Sequence, residues 1–102
     1  MDLEKLMQEA QKMQENLNKI DNELRETIYE GSSGGEGGVI VKVNGRNEVQ
    51  EVLINDDLMN VEDKEMLQDM IVVAANDAVS KAAAEREEKL GAAAAGVSIP
   101  GL

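Results

Sequence analysis

The amino-acid sequence predicts an α+β chain made of a long N-terminal helix, a three-stranded antiparallel sheet and a long C-terminal helix. Three observations carry that prediction. A heptad seam runs through Leu3, Leu6, Ala10, Met13, Leu17, Ile20 and Leu24. A β-branched run, Val39-Ile40-Val41-Lys42-Val43, ends at Asn44-Gly45, a strong hairpin signal. A second long stretch, from about Glu62 to about Leu90, is rich in Leu, Met, Val and Ala.

The first helix follows from spacing. Apolar positions alternately three and four apart form a narrow stripe that needs a partner helix. The flanking Gln, Asn, Glu, Asp and Lys residues cannot shield it, so it must be buried against another element or another copy of the chain. Leu3, Leu6, Met13, Leu17, Ile20 and Leu24 are therefore expected at a dimer interface of coiled-coil type, joined by Met70, Ile71 and Ala74 of the second helix. Lys5, Lys12 and Lys19 recur every seven residues and form one row about 21 Å long. On residue chemistry alone such a row is a solvated flank, its heads pairing with neighbouring carboxylates.

The strands come next. Thr27-Ile28-Tyr29-Glu30 reads as a short first strand, and Gly31 to Gly38 as a mobile hairpin loop. That loop is no phosphate cradle of the P-loop type, because Gly38 is followed by Val39 and Ile40 rather than by Lys and Ser or Thr. Val39, Val41 and Val43 are expected on one face of the second strand. The third strand spans Glu48 to Ile54, where Val49, Val52, Leu53 and Ile54 do not alternate cleanly, which signals a bulge or burial on both faces.

For the second helix, Asn60 is the expected N-cap, with Glu62, Asp63 and Glu65 in the first turn where they complement the helix dipole. Met66 to Val79 is apolar nearly all round, which calls for burial from more than one side: a sheet on one face and a second chain on another. Gly91 is the expected stop. The chain thus divides into one domain, residues 1–90, and a flexible tail, residues 91–102.

Composition narrows the function. A chain of 102 residues supports one core, and with one Tyr, no Phe and no Trp that core lacks the large aromatic side chains that usually contribute most. No Cys is present, which excludes disulfides and thiolate chemistry and fits a reducing compartment. The N-terminus lacks the basic-then-apolar pattern of a signal peptide, and no stretch is apolar enough to span a bilayer, so a cytoplasmic protein without membrane contact is expected. With no His and no Cys, and with its carboxylates on solvated helical faces, the chain offers no catalytic residues, no metal site, no cofactor site and no small-molecule substrate site. The net charge of −11, spread fairly evenly along the chain, argues on its own against a polyanionic partner.

Against that stands a resemblance. The helix segment Gln8-Glu9-Ala10-Gln11-Lys12-Met13-Gln14, the Gly-rich hairpin into Val39 to Gly45, the opening Asp63-Lys64-Glu65-Met66-Leu67-Gln68-Asp69, the segment Ala74-Ala75-Asn76-Asp77-Ala78 and the ending Ile99-Pro100-Gly101-Leu102 together resemble the YbaB/EbfC family of small bacterial nucleoid-associated proteins. The resemblance covers essentially the whole chain. It implies a tweezer-like homodimer whose paired helices hold double-stranded DNA, no enzymatic activity, and residence on the nucleoid. The DNA contacts are then expected among the local positive charges: Lys5, Lys12 and Lys19, with Lys81, Arg86 and Lys89 near the end of the second helix. The binding should be weak and sequence-tolerant. The competing expectation is an assembly module that serves recombination or replication partners without touching DNA.

Overall fold

The computed structural model describes residues 2–95. Asp2 caps the first helix, its carboxylate accepting the Glu4 N–H at 3.1 Å, and leads into α1 (Leu3–Glu26). Thr27 ends it. Its N–H donates to the Leu24 carbonyl at 3.2 Å and its hydroxyl to the Glu23 carbonyl at 2.7 Å, which satisfies acceptors that the last turn leaves open.

Three strands, β1 (Ile28–Ser33), β2 (Val39–Asn44) and β3 (Val49–Ile54), form one antiparallel sheet in the order β1-β2-β3. β2 is central, and its Val39, Val41 and Val43 are the largest fully buried side chains among the described residues, as their alternation predicts. The expected bulge in the third strand is present: Lys42 pairs with Glu51 but Val43 pairs with Val49, so Gln50 is the extra residue. That shift brings Val49, Val52 and Ile54 onto the same face as Val43, Val41 and Val39. Burial of β3 on both faces, the alternative expectation, is not found among the described residues, since residues 49–53 are all exposed.

The glycine-rich stretch corrects the sequence reading. β1 continues through Gly31, Ser32 and Ser33, and only then does a short 3₁₀ turn, Gly35–Gly37, lead into β2. Gly31 is buried because a helix lies directly against it: a Cβ there would sit 2.0 Å from the Ala74 carbonyl oxygen and 2.2 Å from the Ala78 nitrogen. It is a packing residue, not part of a tether.

After two further 3₁₀ turns, Asp56–Leu58 and Val61–Asp63, the chain enters α2 (Lys64–Ala95). Asn60 stands before the second of these turns. Its amide donates to the Asp57 carbonyl at 2.9 Å and to Asp63 at 3.3 Å, so it organises the approach to α2 without accepting a capping bond. A stripe of small residues, Ala74, Ala78 and Ala82, faces the sheet, and their size permits the close approach at Gly31. α2 lies on β1 and β2 and leaves most of β3 exposed, with Ile54 alone of that strand packed against the core.

One helix boundary differs from expectation. α2 does not stop at Gly91 but runs on to Ala95, because the surrounding alanines sustain propagation and a single exposed glycine costs only about 1 kcal/mol. The rest of the expected tail, residues 96–102, lies outside the described residues. The distal half of α2 runs antiparallel to α1, with Asn16, Ile20 and Leu24 facing Lys89, Ala92 and Ala93 across a groove. With helices of 24 and 32 residues, about 36 and 48 Å long, the pair projects well beyond the sheet. The radius of gyration is accordingly 20.0 Å, against about 13 Å for a compact chain of this length.

Candidate nucleic-acid interface

The six cations expected to meet DNA fall into two groups. Lys5, Lys12 and Lys19 are exposed on α1, and none of them has an ion-pair partner among the described residues. With 3.6 residues per turn, their row lies about 130° around α1 from the centre of the seam, on the side away from whatever covers the seam. The other three are engaged. Lys81 pairs with Asp77 at 3.1 Å and donates to the Glu30 carbonyl at 3.1 Å, while Lys89 pairs with Glu85 at 2.9 Å. Arg86 pairs with Asp21 of α1, and the same carboxylate holds Arg25 at 3.0 Å.

Asp21 thus clamps the two helices, a role that the sequence does not reveal. The only sequence-level signal is local: Asp21 and Arg25 are four apart on one helix.

The titration behaviour of this region reports the same contacts. The Ser32 N–H, and then Lys81, hold the Asp77 carboxyl below its ordinary value. Glu85 is lowered by the nearby Tyr29 phenol and then by Lys89, and Lys89 is raised in turn by Glu85. Tyr29 is buried, and that burial, followed by the neighbouring Glu85 carboxylate, pushes its pKa up to about 12.

Charge is not spread evenly, contrary to the reading of the bare sequence. Residues 21–80 carry four basic against fourteen acidic residues, a net charge of −10, whereas residues 3–20 and residues 81–102 each carry three of either sign. The projecting parts of the helices are neutral, and the sheet end of the molecule holds nearly all the negative charge.

The residues expected at a dimer interface also separate. Leu24 and Ala74 are buried by their own chain, so both serve the intrachain core and leave no surface for a second one. Met70 and Ile71 pack partly against that core, and Met13, Leu17 and Ile20 are half-buried. Leu3 and Leu6 are exposed, Leu3 at 72%. Sequence reading misses the apolar surface beside α2: Val49 and Val52 share the helix-facing side of the sheet yet remain 57% and 41% exposed. No group of Asp and Glu among the described residues is arranged to hold a metal ion, and no helix there is long and apolar enough to cross a membrane.

A helix, a three-stranded antiparallel sheet and a helix make an architecture shared with known proteins. Residues 1–97 match the YbaB/EbfC DNA-binding family, and the chain belongs to that family. It is 46% identical over 90 residues to a nucleoid-associated protein of Chloroflexus aurantiacus, covering 88% of this chain and 89% of that one. A nucleoid-associated protein of Legionella pneumophila is 46% identical over 95 residues (93% and 83%), and one of Desulfotalea psychrophila is 40% identical over 102 residues (100% and 95%). Among solved structures, an uncharacterized protein of Helicobacter pylori superimposes with a TM-score of 0.66 at 30% identity, covering 86% of this chain and 91% of that one.

Proposed function

We propose that the protein is a nucleoid-associated DNA-binding homodimer whose paired arms hold duplex DNA through Lys5, Lys12 and Lys19, weakly and with broad sequence tolerance. The observation that carries this reading is the state of the cations. The three lysines of the α1 row have no acidic partner among the described residues, whereas Lys81, Arg86 and Lys89 are each held by a carboxylate. A phosphate meeting the row displaces only water and counterions; one meeting the ammonium of Lys81 or Lys89 must first break an ion pair, whereas the Arg86 guanidinium can keep its carboxylate and still offer N–H groups.

Screening reconciles the acidic whole with a polyanionic partner. At about 0.1 M salt the Debye length is roughly 10 Å. Along the helix axis Lys5 stands about 24 Å from Asp21 and Lys12 about 13 Å, so much of the negative base is screened from the outer part of the row. Successive lysines are about 10 Å apart, more than the roughly 3.4 Å rise per phosphate on one strand, so each meets a phosphate of its own. Contacts of this kind position the protein without reading bases.

Homodimerisation is inferred from apolar surface that the single chain leaves open. β3 carries Val49 and Val52 beside α2, both exposed among the described residues, and Leu3 and Leu6 at the outer end of the α1 seam are exposed as well. A second copy that covers both would also set two arms side by side.

The test compares two variants by salt-titrated binding to a duplex of arbitrary sequence. K5Q/K12Q/K19Q should weaken binding uniformly across sequences and flatten its salt dependence, while K81Q/K89Q should change little. If the first variant binds like wild type, the row is a solvated flank and the reading fails.

A further inference from the structure

A second concentration of positive charge lies at the root of the arm. Arg25 on the last turn of α1, Arg46 in the β2–β3 turn and Arg86 on α2 line one cleft of about 380 Å³ together with Gly45 and Asn47, and no carboxylate among the described residues lines it. In a chain of net charge −11, three arginines lining one cleft require an explanation.

The fold holds them there tightly. A Cβ on Gly45 would stand 1.8 Å from the Leu24 carbonyl oxygen, so only glycine lets the turn press against the end of α1. The Gly45 N–H then donates to the Arg25 carbonyl at 3.1 Å, and the Arg46 N–H to the Asn44 side chain at 2.9 Å. Two carboxylates anchor the three side chains from outside the cleft: Asp21 takes Arg25 and Arg86, and Glu26 takes Arg46 at 2.8 Å. Within these ion pairs two carboxylates serve three guanidinium groups, and the Glu48 carboxylate on the same turn is taken up by the Asn44 amide. Each guanidinium carries five N–H donors, and the carboxylates occupy only part of that capacity. The carbonyls of Glu23, Leu24 and Arg25, which would otherwise repel an anion at this helix end, already accept hydrogen bonds.

We propose that this cleft binds a phosphate group. Planar forked donors match phosphate oxygens in pairs, which distinguishes such a site from a general positive patch. Two sources supply that chemistry: free phosphate, and the phosphodiester backbone of a nucleic acid. Arg25 lies on the opposite flank of the seam from the lysine row, so the site is separate from the contacts proposed above and does not depend on them.

The experiment tracks the arginine Nε–Hε signals of the full chain by NMR while inorganic phosphate is added, then repeats the titration with a short duplex, in wild type and in Arg46→Gln. Arg46 sits on an exposed turn, and Arg46→Lys serves as a second variant that keeps the charge and loses the fork. With phosphate the signals of Arg25, Arg46 and Arg86 should shift to saturation, and Arg46→Gln should weaken binding about fivefold or more, as expected for one lost charge-assisted contact, with Arg46→Lys between. A duplex that reproduces those shifts identifies backbone phosphate as the source, and one that leaves them unmoved identifies free phosphate. A protein that binds phosphate but no duplex keeps this site and loses the DNA reading. Shifts that never saturate, that chloride reproduces equally, or that persist unchanged in Arg46→Gln overturn the proposal.

Discussion

Gly31→Ala tests the packing on which both arms rest. The added Cβ would lie 2.0 Å from the Ala74 carbonyl oxygen, 2.2 Å from the Ala78 nitrogen and 2.9 Å from the Ala78 Cα, all of them helix backbone. Ordinary contact begins near 3.4 Å, so α2 must move more than 1 Å away from β1. No side chain can rotate aside. Overpacking that side chains can absorb costs about 1–3 kcal/mol, and a rigid helix facing a strand should reach or exceed the top of that range, about 3 kcal/mol. For a small domain stable by about 5–15 kcal/mol, that is a large fraction. With a urea slope of about 1–3 kcal/mol/M, the midpoint should fall by about 1–3 M, measured by circular dichroism at fixed protomer concentration. Gly37→Ala is the internal control, since nothing lies within 4 Å of its added Cβ, and it should stay within about 0.5 kcal/mol of wild type. Equal midpoints for the two variants would refute the claim that Gly31 is a packing residue.

Three further outcomes are expected. Val49→Asp with Val52→Asp should yield folded monomers in sedimentation, because both residues are exposed in the single chain; an unchanged dimer would place the interface elsewhere. Tyr29 is the one tyrosine in a chain without Trp, so tyrosinate absorbance reads it alone. Its folded-state pKa is raised, so its contribution to stability is present below pH 10 and is lost as pH rises through about 12; a folded-state midpoint at the ordinary 10.0 would contradict its burial. Asp77 behaves oppositely: its pKa is depressed, so its contribution is present above its ordinary 3.8 and is lost as pH falls through the lower folded value. Asp77→Asn should therefore reduce the acid sensitivity of stability, and an identical acid limb in that variant would show that the Ser32 and Lys81 contacts contribute nothing.

Much of this architecture is legible in the sequence because its signals are local. The seam from Leu3 to Leu24, the valine alternation of β2 and the Asn44-Gly45 turn each report a period or a dihedral preference. The irregular spacing of Val49, Val52 and Ile54 also signals the bulge correctly. Gly31 is not legible, because its function is a close approach by a helix more than forty residues away, and composition alone makes a glycine run look like a tether. Gly91 misleads for a different reason: glycine stops a helix only when the next residues cannot continue it, and Ala92 to Ala95 continue it well. Among the candidate cations, the Asp77–Lys81 and Glu85–Lys89 pairs are four apart and visible in principle. The Asp21–Arg86 bridge, and with it the arginine cleft, exists only once α2 lies along α1.

Unpaired lysines on neutral arms that hold DNA by its phosphates are the central claim. The slope of log K against log salt concentration for wild-type protein and a duplex of arbitrary sequence measures it directly. Six lysines in a dimer, each neutralising a phosphate at about −0.9 per contact, give a slope of roughly −5, the same for unrelated sequences. A slope near zero, or measurable affinity confined to one sequence, would contradict it.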